Sequence, residues 1–275
     1  MNLSSEKQWT LTERQLCDIE LIMDGSFSPL KGFMSEEDYN LVLNEMRLKD
    51  GQLFPLPIVL DISKSFYKTI KIDEEIILRD LEGFQIAKMR VNSKWEPDLD
   101  KEADLLYGTL DTVHPAVDYL FNYGNKFYLG GDIEKITFPN HYDYNQYRLT
   151  PISAKEKFKE LGWERIIAFQ TRNPLHRAHV EMTMRSMDSI DANLFLHPVV
   201  GLTKTGDIDY FTRVRCYKKI IRKYPKNKAM LALLPLAMRM GGPREALLHA
   251  LIRKNFGCTH IIIGRDHAGP GKNSD

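Results

Sequence analysis

The order of apolar and polar positions divides the chain near residue 150. Before that point, short apolar runs of β type alternate with turn-forming residues: LFPLPIVLDI (53–62), KTIKID (68–73), EIILRD (75–80) and FQIAKMRV (84–91). Gly, Asn and Asp separate several of these runs, the pattern of a small β-rich unit. Helices are predicted to frame it, over SEEDYNLVLNEM (35–46) and HPAVDYLFN (114–122). The segment FPNHYDYNQYRLTP (138–151) is polar, aromatic and bracketed by prolines, and reads as a connector. No internal repeat or low-complexity tract interrupts the pattern.

After residue 150 the pattern becomes helix, strand, helix, strand. Helices are predicted over 151–163, 173–187, 210–224 and 242–257, and strands over RIIAFQ (165–170), ANLFLHPVV (192–200), AMLALLPLA (229–237) and CTHIIIGR (258–265). These strands are continuous apolar runs, as expected where helices cover both faces of a parallel sheet. The expected fold class is therefore α/β: a β-rich N-terminal domain over 1–148, then a Rossmann-like parallel α/β domain over 149–275. In such sheets ligands bind beyond the carboxyl ends of the strands. That rule directs attention to three strand-end loops.

The first is QTRNPLHRAH (170–179). Asn173 before Pro174 has the form of a helix N-cap with proline at the first helical position, which predicts a helix starting around Pro174. Its unpaired N–H groups and positive dipole end would face the crevice and favour an anion. His176 and His179, three apart, would share one face near its first turn, so Gln170, Arg172 and both histidines can converge on one negative group. A lone histidine at a helix start is more often a capping or packing residue. A zinc site would need a third ligand, and HEXXH is absent.

The second loop, in CTHIIIGRDHAGPG, sets Arg265, Asp266 and His267 directly after an apolar run, among Gly264, Gly269 and Gly271, which allow close approach of backbone to a ligand. By itself it reads equally well as an ordinary turn; on the same sheet edge as the first loop it becomes a second wall of one anion site. The third, MRMGGPREAL, places Arg239 and Arg244 around Gly241 and Gly242, and a plain cap for a core-facing helix explains it equally well.

Composition narrows the classes. With 275 residues and 43% hydrophobic content the chain can bury a sizeable core, in one large domain or two ordinary ones. The 38 basic and 37 acidic residues leave a net charge of +1, so no global field recruits nucleic acid or a membrane. The basic run KKIIRKYPKNK (218–228) reads as a solvated helix face. Cys17, Cys216 and Cys258 lie far apart in no CxxC spacing, against a disulfide framework or a structural zinc. The first twenty residues lack an apolar signal-peptide core, and AMLALLPLAM is far short of a membrane span. The expected setting is cytoplasmic.

QTRNPLHRAH resembles the QXRNPXHXXH signature of the ATP sulfurylases (sulfate adenylyltransferases), a form of the HXXH nucleotidyltransferase motif, and GRDHAGPG is similar to that family's second nucleotide-binding loop. The likeness extends through DIELIMDGSFSPLKGFM (18–34), YLGGDIE (128–134), VVGLTKTGDID (199–209) and LPLAMRMGGPREALLHALIRKNFGCTH (234–260). HXXH alone is weak; together these segments are highly specific. The resemblance implies a PUA-like N-terminal domain, a Rossmann-like catalytic domain, and the reaction ATP + sulfate → adenosine 5′-phosphosulfate + pyrophosphate in sulfate assimilation, with Mg2+ accompanying the nucleotide and no protein-ligated metal. It implies that Gln170 and Arg172 hold sulfate with the backbone N–H of Ala268. Gln170, Thr171, Arg172, Asn173, Gly264, Arg265, Asp266 and His267 would contact ATP. Thr171, Arg172 and Asn173 stand at positions the family treats as catalytic, and His176 and His179 would stabilise phosphate charge in the transition state. The expected partners are these small molecules, with no nucleic acid and no membrane; a homo-oligomer is left open.

The physical chemistry agrees with that implication. Sulfate is a poor nucleophile, so a catalyst must neutralise and align two mutually repelling anions more than it must supply a base. Arginine suits a tetrahedral oxyanion because its planar fork donates two parallel hydrogen bonds. The chain stops at GPGKNSD, within a loop where the family continues, so the C-terminal part of the catalytic domain is expected to be missing. No GXXXXGKS or GXXXXGKT phosphate loop occurs, so the adenylylsulfate kinase function of some relatives is not expected from this chain. Two rival readings are another HXXH nucleotidyltransferase with a phosphorylated organic acceptor, and an RNA-binding PUA-type module. The acidic run EPDLDKEAD (96–104) and the lack of a basic, aromatic-lined stripe argue against the latter.

Overall fold

The computed structural model describes residues 6–204 and 206–271; the closing KNSD lies outside them. The N-terminal half contains β1 (Lys7–Thr10), α1 (Glu13–Met23), β2 (Gly32–Phe33), α2 (Glu36–Glu45), β3 (Leu60–Ile62), α3 (Lys64–Thr69), β4 (Glu75–Arg79), β5 (Gln85–Trp95), α4 (Leu99–Tyr107), α5 (Pro115–Asp118) and β6 (Phe127–Lys135). Its six strands form one mixed sheet in the order β1-β4-β5-β6-β2, with β3 also paired to β6. Only β1 and β4 run parallel.

The second half contains α6 (Pro151–Glu160), β7 (Ile166–Phe169), α7 (Arg177–Ile190), β8 (Asn193–Leu196), α8 (Tyr210–Ile220), β9 (Ala229–Leu231), α9 (Gly242–Asn255) and β10 (His260–Ile262). Its four strands are all parallel, in the order β10-β7-β8-β9. The central strands β7 and β8 are buried on both faces, while the edge strands β10 and β9 are partly exposed. Ile166 and Phe195 belong to an apolar core shared with the N-terminal half, whereas Ile167, Phe169, Leu194 and Leu196 pack into a second core with Leu175, Val214 and Tyr217. Side chains alternate between faces at period two, and because each face meets a core the runs read as continuously apolar.

Several elements differ from the sequence expectation. KTIKID is not a strand: Ser63 caps α3 by accepting the Phe66 N–H at 3.3 Å, so Lys68 and Thr69 finish a helix and Asp73 turns with φ +65°. In LFPLPIVLDI only Leu60–Ile62 forms a strand, since Pro55 and Pro57 cannot donate to a ladder. The predicted 114–122 helix is a single turn, α5, that widens into a π-type turn over Tyr119–Tyr123. The sequence expectation omitted α1, capped by Thr12 and Gln15, and α4, opened by Asp98 and closed by Gly108 in the left-handed region.

The third strand-end loop joins the two halves. Arg239 donates to both carboxylate oxygens of Asp18 on α1 at 2.7 Å, with both residues buried. Arg244 donates to the Val42 and Leu43 carbonyls at 3.1 and 2.9 Å, and Asn255 to those of Ser26 and Ser28 at 2.9 Å. Arg239 and Arg244 are thus committed to the N-terminal half. The cysteines are free thiols, and burial pushes Cys17 and Cys258 up to about 12, which keeps them unreactive.

Candidate functional site

β10 and β7 are neighbours and parallel, so the chain leaves both at the same sheet edge: into 170–176 after β7 and into 263–271 after β10. The first loop is stiffened from several sides. The ladder continues beyond the strand, with the His197 N–H donating to the Phe169 carbonyl at 2.9 Å and the Val199 N–H to the Thr171 carbonyl at 3.1 Å. The Thr171 hydroxyl accepts the Asn173 N–H at 3.0 Å and donates to the Asn173 carbonyl at 2.9 Å. That carbonyl also accepts from the Tyr217 hydroxyl on α8 at 2.9 Å.

These bonds correct the predicted cap. Asn173 does not open a helix, because its turn closes on Thr171 and Leu175 must reach the second core; the helix begins at Arg177 with extended His176 as its N-cap residue. The expectation of two histidines on one face at a helix start holds three residues later. The imidazole rings of His176 and His179 lie 3.9 Å apart, with the His176 N–H directed at His179 Nδ1 at 3.5 Å. Partial burial and the neighbouring His176 both lower the pKa of His179, favouring a neutral ring that can still donate one N–H.

Arg172 is largely buried. Its Nη1 lies 2.9 Å from the Met240 Sδ and 3.8 Å from Asp207 Oδ2, so it is oriented without a close ion pair. Asp207 belongs to the loop after β8, which also carries Lys204, whose Nζ donates to the Pro270 carbonyl at 2.9 Å. That loop bridges the other two.

In the second loop, Gly264, Arg265 and Asp266 are exposed and His267 is half-buried. Ala268 takes φ +56°, and its carbonyl accepts the Gly242 N–H at the start of α9 at 3.1 Å. Gly269 lies close under the Asp266 carboxylate: an added Cβ would fall 2.1 Å from Asp266 Oδ1 and would turn that side chain aside. Beneath both loops lies the fully buried His249 of α9. Its Nδ1 is 2.8 Å from His267 Nε2, and its Nε2 is 3.4 Å from Gln170 Nε2 and 3.4 Å from Glu245 Oε1. Gln170 and His267 therefore meet through one imidazole. Burial lowers the pKa of His249, and burial with the proximity of His249 and Arg253 lowers that of His267 to about 4. At neutral pH the site's positive character thus rests on Arg172, Arg265, Lys204 and the first turn of α7.

Glu245, His249, Lys204, Asp207 and Tyr217 were absent from the sequence-derived set. The available signal was Glu245 and His249 at i and i+4 on a helix opening at a strand-end Gly-Gly-Pro. Among the described residues, no three His, Cys, Asp or Glu side chains gather to hold a metal ion.

The same stretch of chain matches known proteins. Residues 145–273 match the ATP-sulfurylase family model and residues 2–138 that of the PUA-like domain. Sulfate adenylyltransferases of Neosartorya fischeri and Aspergillus fumigatus are each 54% identical over 267 residues, covering 96% of this chain and 46% of theirs. That of Schizosaccharomyces pombe is 52% identical over 266 residues, covering 96% of this chain and 54% of its own. The chain carries an ATP-sulfurylase domain over 145–273, after a PUA-like domain over 2–138. Its fold is a PUA-like N-terminal domain followed by a nucleotidyltransferase-type α/β domain. A solved structure titled as a hexameric APS kinase from Thiobacillus denitrificans superposes with a TM-score of 0.81 at 31% identity, covering 96% of this chain and 48% of that one. The chain spans about half the length of the relatives it matches.

Proposed function

We propose that the protein is a sulfate adenylyltransferase, joining ATP and sulfate to give adenosine 5′-phosphosulfate and pyrophosphate. The observation that carries this reading is the meeting of the Gln170 loop and the His267 loop at one sheet edge, with Arg172 held beside them and not tightly paired. Gln170 and Arg172 bind sulfate together with the Ala268 N–H. Thr171, Arg172, Asn173 and the 264–267 backbone and side chains contact ATP. A sulfate oxygen attacks the α-phosphorus in line, the bond from that phosphorus to the bridging oxygen breaks, and pyrophosphate leaves with the electron pair. Arg172 offsets the repulsion between the anions. The N–H groups of His176 and His179 stabilise charge growing on the leaving group.

Mg2+ fits here as a companion of the nucleotide: the described residues offer the separate carboxylates of Asp207 and Asp266 and, among them, no preformed cage, and this ion is commonly bound through substrate phosphates, waters and one or two carboxylates. When bound it neutralises phosphate charge. The domain boundary is proposed at 148/149, just before Thr150, which caps α6. No helix among the described residues is long and apolar enough to cross a membrane, and the proposed setting is cytoplasmic.

Competition tests the acceptor. Chlorate and selenate should compete with sulfate for the full-length protein, and Gln170→Leu should weaken all three. Indifference to both anions, with turnover on a phosphorylated organic acceptor, would overturn the reading.

A further inference from the structure

Glu245 accepts the Arg239 N–H through Oε1 and the Gly241 N–H through Oε2, each at 2.9 Å. Burial works to raise its pKa, yet His249 and these two backbone donors outweigh it and hold the carboxyl below its ordinary range. An ionised carboxylate only accepts hydrogen bonds. The His249 Nε2 lies 3.4 Å from Oε1, a charge contact that is long for a hydrogen bond but places the carboxylate on that side of the ring and favours the ring hydrogen there. The His249 Nδ1 is then an acceptor, so His267 Nε2, 2.8 Å away, must donate to it. Both tautomers follow from one carboxylate.

The same hydrogen constrains Gln170. Its amide lies 3.4 Å from the His249 Nε2, while its buried Oε1 has no partner. Two N–H donors facing each other satisfy neither; turning the amide brings Oε1 to the His249 N–H and frees the NH2 group for the crevice. Other charges packed around the ring do not compete for this hydrogen. Arg253 donates to the His197 carbonyl at 2.9 Å and lies 3.5 Å from the His249 carbonyl, and Arg239 is bound to Asp18.

We propose that His249 is a positioning residue: held by Glu245, its ring turns the Gln170 amide so that NH2 faces the anion, and by accepting from His267 it fixes the second loop against the first. This rests on the proposed role of Gln170 in holding sulfate, and adds what sets that side chain. His249 touches neither substrate; it acts through Gln170 and His267.

The test uses the full-length protein with 15N-histidine, read by two-bond proton–nitrogen NMR between pH 6 and 8. His249 and His267 should both be neutral with the hydrogen on Nε2, and Gln170→Met should shift the His249 Nε2 resonance. A hydrogen on His249 Nδ1, or no shift in Gln170→Met, overturns the proposal, and both readouts are independent of turnover. In kinetics, His249→Leu should raise the KM for sulfate about tenfold, the loss of one hydrogen bond to a charged acceptor, and that for ATP by a smaller factor. His249→Gln, which can still donate and accept, should recover most of the loss. A folded His249→Leu with both KM values unchanged would also overturn the proposal; if that variant fails to fold, the tautomers decide. Absence of any sulfate-dependent turnover in the wild type would instead refute the reaction, leaving the NMR readouts to judge the relay.

Discussion

Replacing Asp18 with asparagine should destabilise the whole molecule, because the Asp18–Arg239 pair clamps the nucleotidyltransferase-type half to the PUA-like half. Asp18 is 2% and Arg239 5% exposed, and one guanidinium nitrogen lies 2.7 Å from each carboxylate oxygen. Burial works to discharge Arg239, but Asp18 and Glu245 outweigh it, and the pKa is raised. Asp18→Asn keeps the shape and removes the counter-charge, leaving a buried cation whose other close partner is the Ala237 carbonyl at 2.6 Å. Breaking a buried pair from one side costs about 3–5 kcal/mol. At roughly 2–4 °C per kcal/mol for a chain of this size, Tm should fall by about 6–20 °C. Replacing both partners with apolar residues, as in Asp18→Leu with Arg239→Met, should recover much of the loss. The assay is thermal unfolding followed by near-UV circular dichroism at pH 7, in low and high salt. Salt should change the difference little, since a buried pair is poorly screened. A Tm for Asp18→Asn within about 2 °C of wild type would refute the reasoning.

Arg172→Lys should lower turnover about a hundredfold or more despite the retained charge, because lysine cannot reproduce the bidentate fork and loss of one preorganised donor removes about 2.7–4 kcal/mol of transition-state stabilisation; steady-state kinetics that leave the variant within a few-fold of wild type would remove Arg172 from the sulfate site. His176→Ala and His179→Ala should each lower kcat far more than they weaken ATP binding by titration, since leaving-group charge develops only in the transition state. His267 and His197 should each cost stability as pH drops from about 6.5 towards 4, because burial depresses the pKa of His267 to about 4 and that of His197 well below its usual value, so the unfolded chain binds the extra protons. His267 alone contributes at most about 3 kcal/mol, reduced by whatever solvent reaches its ring. Burial raises Glu102 and Asp24 to about 7, so these carboxyls stabilise the fold below about 4 and lose that contribution as pH rises from there to about 7; they oppose the histidines in the same window, and Glu102→Gln should therefore steepen the acid limb of a Tm–pH profile.

The α/β order of the second half was legible because its central strands are buried on both faces and its loops carry Gly and Pro at strand ends. The strand-end rule therefore pointed to the two loops that the structure brings together at one sheet edge. Local chemistry hid the rest. Asn173-Pro174 has the form of a cap, but Leu175 is drawn into the second core and Thr171 closes the turn, shifting the helix start to Arg177. KTIKID alternates like a strand, but the Ser63 cap makes it a helix end. Glu245 and His249 stand at i and i+4 on a helix opening at Gly-Gly-Pro, but that spacing alone does not show that their turn packs beneath loops distant in sequence. Arg239 and Arg244 carried the residue types of an anion site, and only the packing of the two halves shows them bound elsewhere.

The most direct measurement is pyrophosphate release from ATP by the full-length protein, with and without sulfate, with adenosine 5′-phosphosulfate quantified alongside. Release should require sulfate, match the adenosine 5′-phosphosulfate formed mole for mole, and fall by about a hundredfold or more in Arg172→Lys. Release at the same rate without sulfate, or no adenosine 5′-phosphosulfate despite saturating ATP and sulfate, would contradict the assignment of Gln170, Arg172 and the 264–268 loop to sulfate activation.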